Sequence, residues 1–251
     1  MLLPRLSLLS LASAHPLMHA VSPQQIVVSE PPPGHDLSFP TIHESAVMAR
    51  RILHLSSHGT LVTTFPVSPQ SIDPRSIRAG RPPEVEGDAI GLLEYYADCE
   101  PETGNPTLLA IDIATPFRNY EAGSNISLSI RWWPDQSESF SAPAGNDIPT
   151  PHTPAALPRF SLHGFLEHIP DKVLAKKSIP ACFLKTHPDS VIWQPGNDVS
   201  HESKYLRFVV EHVYWFGGFG DRARIEWLPV DEWRAVTMEE IATCRLPGET
   251  K

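Results

Sequence analysis

Cysteine is scarce in this chain, and positive charge is outnumbered. Beyond the N-terminus no apolar run approaches the ~20 residues needed to cross a bilayer. Each shortage excludes something. Cys99, Cys182 and Cys244 are too few and too scattered for a disulfide scaffold or a closed zinc site. They leave room for one disulfide and one free thiol, in any pairing. Lys and Arg total 20 against 29 Asp and Glu, a net charge of −9. Such a chain lacks the cationic surface that neutralises phosphates, which argues against a general nucleic-acid binder. No G-x-S-x-G and no P-loop occurs, so hydrolase and kinase readings find no support.

Proline, in contrast, is abundant at 27 residues and unevenly placed. Positions 15–40 hold six, 66–88 five and 134–158 six. Proline gives no N–H to a ladder or a helix, so these stretches are expected to be irregular. The first reads as a tail, and the other two as insertions within one domain spanning 41–246. Ahead of the tail, Arg5 precedes an apolar run from Leu6 to Ala12, and Ala12-Ser13-Ala14 has the small residues of a signal-peptidase site. Residues 1–14 therefore read as a signal peptide and place the chain in the secreted or endomembrane compartment. A cytoplasmic chain with an untranslocated tail is the alternative. Asn125-Ile126-Ser127 is a glycosylation sequon, and a lumenal chain is permitted a disulfide.

The elements are legible from period and punctuation. Thr41-Ile42-His43-Glu44 has capping-box spacing, followed by Met48, Ile52 and Leu55 at helical intervals, with Gly59 as the expected stop and Arg50 and Arg51 on the solvent side. Strands are predicted at 60–65, 90–98, 107–113, 126–132, 159–168, 205–216 and 223–228. In the fourth, Ile126, Leu128, Ile130 and Trp132 alternate with polar residues, which buries one face. In the sixth, Leu206, Phe208, Val210, His212, Tyr214 and Phe216 are expected to share a face. Residues 171–187 predict two short helices meeting around Ser178. Thr237 and Glu240 open a last helix with a second capping box. Seven strands without βαβ alternation favour a mostly antiparallel barrel with helical additions.

Gly218-Phe219-Gly220-Asp221-Arg222-Ala223 matches a dinucleotide fingerprint in letters only. The residues after it alternate and stop at Pro229, where the fingerprint needs a helix to carry the pyrophosphate. A glycine-rich turn between strands is the better reading. His54 and His58 are four apart but lack a third ligand, so no metal site is expected. Trp132, Trp133, Trp215, Trp227 and Trp233 read as core and rim residues. Arg118-Asn119, after Thr115-Pro116 on a strand-to-helix corner, could form a phosphate clamp, with a surface arginine as the alternative. No residue stands out as a general acid or base. His163 and His212 are candidates only because each lies in a strand, with a satisfied core histidine as the alternative for both.

Four stretches, ESAVMARRILHLSSHGTLVTTF, PTLLAIDIATPFRNYEAGSNISLSIRWW, FLKTHPDSVIWQPG and YLRFVVEHVYWFGGFGDRARIEWLPVDEW, occur in this order across 44–235. Together they resemble the CREG-like branch of the FMN-binding split-barrel superfamily, which includes pyridoxamine 5'-phosphate oxidase-like proteins. The resemblance implies a six-stranded Greek-key split barrel with flanking helices, usually a homodimer with any flavin at the dimer interface. It would place Thr63 and Thr64 near the isoalloxazine and Thr115, Arg118 and Asn119 near the phosphate. Trp215 and Arg222 would stand at the glycine-rich end. Against flavin stands Glu94, where oxidase members carry basic residues along the second strand, because an acid repels a phosphate. Two functions follow as expectations. One is a CREG-like binding or interaction module that has lost flavin. The other is an FMN-dependent oxidoreductase acting on a small molecule, in which the flavin carries the chemistry.

Overall fold

A computed structural model describes residues 40–67, 81–134, 156–197, 201–218 and 223–249. The signal-like segment, most of the proline-rich tail and the cores of both insertions lie outside the described residues. So does Arg222.

The described residues form seven strands: β1 (His58–Thr64), β2 (Ala89–Ala97), β3 (Thr107–Ile111), β4 (Ile126–Arg131), β5 (Arg159–His168), β6 (Ser203–Phe216) and β7 (Ile225–Leu228). They are hydrogen-bonded in the order β3-β2-β1-β4-β5-β6-β7, with a further pairing of β3 to β6. That pairing closes six antiparallel strands into a barrel and leaves β7 as a flap on β6. Six helices flank it: α1 (Ile42–Leu55), α2 (Thr115–Glu121), α3 (Asp171–Lys176), α4 (Ile179–Thr186), α5 (Val230–Ala235) and α6 (Met238–Thr243). The end of the first insertion is ordered rather than irregular. A 3-10 turn at Pro83–Val85 leads into β2, tied to β1 by Phe65 N–H to the Asp88 carbonyl at 3.0 Å.

Inward-facing residues fill the barrel. Leu61, Leu128, Leu162, Phe208 and Val213 have no exposed surface, and Trp215 is 1% exposed. A second cluster lies outside the barrel wall. Ala97, Leu109 and Tyr205 point outward there and are covered by Ile179 and Phe183 of α4. This explains why β3 is one continuous apolar run, because both of its faces are buried. Cys99 and Cys182 are joined by a disulfide across this cluster, and Cys244 is free. A loop of 83 residues closed in this way removes on the order of 4 kcal/mol of unfolded-chain entropy. Ser178 adopts a left-handed conformation between α3 and α4, and Pro180 starts α4 rather than breaking it.

Three details differ from the sequence-based expectation. First, α1 is capped at Ser56, and Gly59 lies inside β1, where a Cβ would meet Leu128 Cδ1 at 2.7 Å. Second, Arg50 and Arg51 are not on a solvent face. α1 is sandwiched between the barrel and the C-terminal helices α5 and α6, so two of its sides are covered. Arg50 is fully buried, donating to the carbonyls of Trp233 (2.9 Å) and Pro101 with its guanidinium over the Trp233 ring. Gly104, in left-handed backbone, lets the chain pass this pair, since a Cβ would lie 2.7 Å from Arg50 Nη1. Arg51 donates to Glu249 and to the Ile241 carbonyl.

Third, β6 does not keep one face. His163 pairs with His212 and Gly164 with Val210, so Glu211 is an extra residue. This bulge reverses the alternation. Leu206, Phe208 and Val210 face inward before it and Val213 and Trp215 after it, which turns His212, Tyr214 and Phe216 outward. Gly164 is needed opposite the bulge, because a Cβ there would overlap the Val209 carbonyl at 1.9 Å. α5, which no cap or period in the sequence signalled, drives Trp233 into the core with no exposed surface.

One buried ion cluster ties the strands to α3. Glu100, 1% exposed at the side chain, accepts from Arg207 Nε (2.5 Å) and Nη2 (2.7 Å) and from Lys177 Nζ (2.9 Å). Burial works to raise the carboxyl pKa, but the hydrogen bonds from Arg207 and Lys177 outweigh it and the net shift is downward. A depressed carboxyl pKa stabilises the fold above its unfolded value and is lost as pH falls through the folded value. Glu100→Gln leaves Arg207 only its outer partner Glu167 and Lys177 only Glu102, so it should cost about 1–3 kcal/mol in urea unfolding at neutral pH. The difference from the parent chain should shrink in acid.

Candidate functional site

Strand alternation sends Thr63 into the barrel end and Thr64 out of it. α2, started by Pro116, packs across that end and directs Asn119 at β1. Asn119 Nδ2 donates to Thr63 Oγ1 at 3.1 Å, with the two residues 5% and 2% exposed. The Thr64 N–H donates to Ser124 Oγ at 2.8 Å, and the Ser124 hydroxyl donates to the Asn125 carbonyl at 2.6 Å. Thr115 and half-buried Arg118 lie on the same short helix, and Arg118 is itself engaged. Asn125 is exposed at the entry to β4. Of the residues singled out in the sequence, Thr63, Thr64, Thr115, Arg118 and Asn119 are therefore brought to one end of the barrel, with Asn125 beside them.

Trp215 does not join them. In the strand register it aligns with Phe160, Ile130 and, by continuation of the β1–β4 pairing, Gly59. Gly59 is four residues, roughly 13 Å, along β1 from Thr63. The indole lies in the core beside Phe160, with ring centroids 6.4 Å apart. Gly217 starts the expected glycine-rich turn, donating its N–H to the Arg224 carbonyl at 2.9 Å, and β7 rather than a helix follows. His187 is 2% exposed, bonded through Nε2 to the Tyr96 carbonyl at 2.8 Å and stacked on Tyr95 at 4.4 Å. It glues the 3-10 helix Pro188–Trp193 to β2. His54 pairs with Asp98 at 2.9 Å, while His58 lies in β1 against Tyr95 and His187. Among the described residues no three His, Cys, Asp or Glu side chains converge as a metal site, and no helix is long and apolar enough to cross a membrane.

Glu94 lies opposite Gly59 on β2, on the same face as Tyr96. Beyond Tyr96 and Ala97, β2 no longer pairs with β3, and Glu94 occupies the resulting split. Burial pushes its carboxyl up to about 7.

A second concentration of side chains stands on the outer sheet face that the β6 bulge creates. Trp227 of β7, 57% exposed, lies 5.0 Å from Tyr214, 5.3 Å from His163 and 6.4 Å from His212 between ring centroids. Burial lowers the His163 pKa, and the facing His212 lowers it further. Sequence periodicity could not find this group, because an unbroken β6 would put His212 and Tyr214 inside.

The CREG β-barrel family model matches residues 40–235, and the chain belongs to that family. No curated protein matches it in sequence. Among solved structures it is similar to the heme binding protein from Mycobacterium smegmatis, at 22% identity and a TM-score of 0.50 over 79% of this chain. It spans 62% of the length of that protein. It is also similar, at 12% identity and a TM-score of 0.44, to a Clostridium acetobutylicum protein related to general stress protein 26 of B. subtilis, of the pyridoxinephosphate oxidase family. That likeness covers 76% of this chain and 98% of the other. At these identities the shared feature is the split-barrel fold.

A carboxyl whose pKa is raised on folding stabilises fully below its unfolded value, near 4.5, and loses that contribution as pH rises through about 7. Glu94→Gln removes the loss. The variant should therefore match the parent chain in thermal unfolding at acid pH. Above pH 7 it should exceed the parent by roughly 1–2 kcal/mol, allowing for solvent screening of a half-buried group.

Proposed function

We propose that this chain is a CREG-type binding module that works without flavin, as a homodimer, in the secretory or endomembrane lumen. The observation that carries this reading is the Asn119–Thr63 hydrogen bond. A flavin phosphate needs donors that face it, whereas the Asn119 amide expected there is buried against Thr63 and Arg118 is itself engaged, and the Thr64 N–H expected near the isoalloxazine is taken by Ser124. On β2, Glu94 supplies an acid opposite Gly59, about four residues from the Thr63 register, and not a base. The residues therefore do not fit the phosphate of FMN where the resemblance would put it, and no redox step is derived through it. A heme is the ligand named for the Mycobacterium smegmatis relative. The imidazoles of His163 and His212, cross-strand partners on β5 and β6, stand on the outer face rather than in a pocket.

The lumenal assignment is supported by the Cys99–Cys182 bond, which persists in an oxidising compartment. It is supported also by the exposed position of Asn125 within its sequon. The homodimer reading is supported by the outer face of β5, β6 and β7, where Trp227, Ile225 and Tyr214 are 57%, 40% and 36% exposed. Exposed aromatic clusters of this kind mark interaction surfaces.

Two measurements test the proposal. Purified protein should be colourless in the flavin bands and should give no saturable quenching on titration with FMN. Saturable binding, weakened by about 1.5–3 kcal/mol in Arg118→Ala, would instead establish the oxidoreductase alternative. On size-exclusion chromatography with light scattering, Trp227→Glu should convert a dimer to a monomer. A parent chain that is already monomeric would remove the dimer.

A further inference from the structure

His43 stands at the second position of α1 and reaches away from the barrel toward the C-terminal helices. Its Nδ1 lies 2.9 Å from Glu232 Oε2 on α5, and its Nε2 lies 2.8 Å from Glu240 Oε1 on α6. A carboxylate can only accept, and a neutral imidazole has one N–H. Only the imidazolium can donate to both acids at once, so this geometry belongs to the protonated ring. We propose that His43 is a proton-operated latch: charged, it pins α5 and α6 to α1, and on losing its proton it releases α6 along the groove that separates the two helices.

The surroundings favour that role. Glu240 is shared between the latch and the start of its own helix. Its other oxygen accepts from the Thr237 N–H and hydroxyl, each at 2.8 Å, as the return half of a capping box. Freeing one end of this carboxylate therefore perturbs the N-terminus of α6 directly. Behind the His43–Glu240 pair lies a groove of about 540 Å³ between α1 and α6, walled by Val47, Met48, Thr243 and the free Cys244. Further along the same helix pair, Arg51 of α1 donates to the Ile241 carbonyl of α6 at 3.1 Å, so the latch acts on the N-terminal turn of α6.

The charges packed around His43 act in one direction. On α1 itself Glu44 is adjacent and caps the helix through Thr41. α5 contributes Glu232, with Asp231 next to it, while its Arg234 is turned to the Val210 carbonyl. α6 contributes Glu240, with Glu239 beside it. From the β7 side, Arg224 is paired with Glu226 and donates to the Pro40 carbonyl at 2.7 Å. β4, also packed on α1, carries only Arg131, which lies over the Trp133 ring. Acids thus outnumber bases at the ring. The hydrogen bonds to Glu240 and then Glu232 raise the His43 pKa, and His43 together with the Thr237 cap holds Glu240 down to about 2.

A histidine pKa raised on folding stabilises fully below the unfolded value near 6.5, and that contribution disappears as pH rises through the folded value. The latch is closed in acid and open in base.

The test compares the full chain with His43→Gln by hydrogen exchange of the Met238–Thr243 segment, at one acid and one alkaline pH. At about pH 5.5 the segment should exchange about fivefold more slowly in the parent chain than in the variant, and by about pH 8.5 the two should converge. A ratio that is the same at both pH values would show a merely structural side chain and overturn the latch. So would no difference at either. Should His43→Gln fail to fold, the His43 ring is titrated by NMR in the parent chain and in Glu232→Gln. The expected result is a midpoint above 6.5 that falls in the variant. A parent midpoint at or below 6.5, or one unmoved by Glu232→Gln, overturns the proposal.

Discussion

The pairing of Thr107–Ile111 with Ser203–Arg207 is the contact on which the molecule depends. Without it the seven strands would form an open sheet with β3 as a bare edge. With it, six strands close on a shared interior and the inward residues of every strand meet in one core. The closure is reinforced where it is made. Glu100 grips Arg207 of β6 from the β2–β3 link, and the Cys99–Cys182 bond fastens the same corner to α4. The paired charges are costly to bury and costlier to separate, so they resist opening of this seam.

Closure also creates the asymmetry that defines the candidate sites. β2 leaves β3 after two paired residues, so the barrel is split along the remainder of β2, and Glu94 is held there at the edge of ionisation. α2 covers the neighbouring barrel end by pressing Asn119 onto Thr63. In the same way the β6 bulge moves His212 and Tyr214 out of the core and assembles them with His163 and Trp227 on an external face. Chemistry-bearing side chains thus gather at an internal end already satisfied by its own hydrogen bonds and on an outer face still open to a partner.

The C-terminal helices complete the picture. Because α5 and α6 fold back over α1, two sides of the helix are covered, and Arg50 is buried as a hydrogen-bonded cation against Trp233 rather than displayed. The same fold-back places His43 between two carboxylates on separate helices. Residues that read singly as a cap or a solvated face become, once these helices dock, the joints between them.

By itself the sequence determined what short-range physics controls. Alternation across 126–132, the β-branched run at 60–65, the two capping boxes and the break between two short helices around Ser178 each depend on neighbours a few positions away. Each of these elements is present, with its ends shifted by a residue or two. The class of fold followed from counting such elements. Tertiary structure decided whatever rests on partners distant in the chain: which cysteines pair, where β6 bulges, what covers Arg50 and Arg51, and whether Asn119 faces a ligand or Thr63. These outcomes compare alternative burials of the same side chains. No local pattern encodes which of them the closed barrel will satisfy.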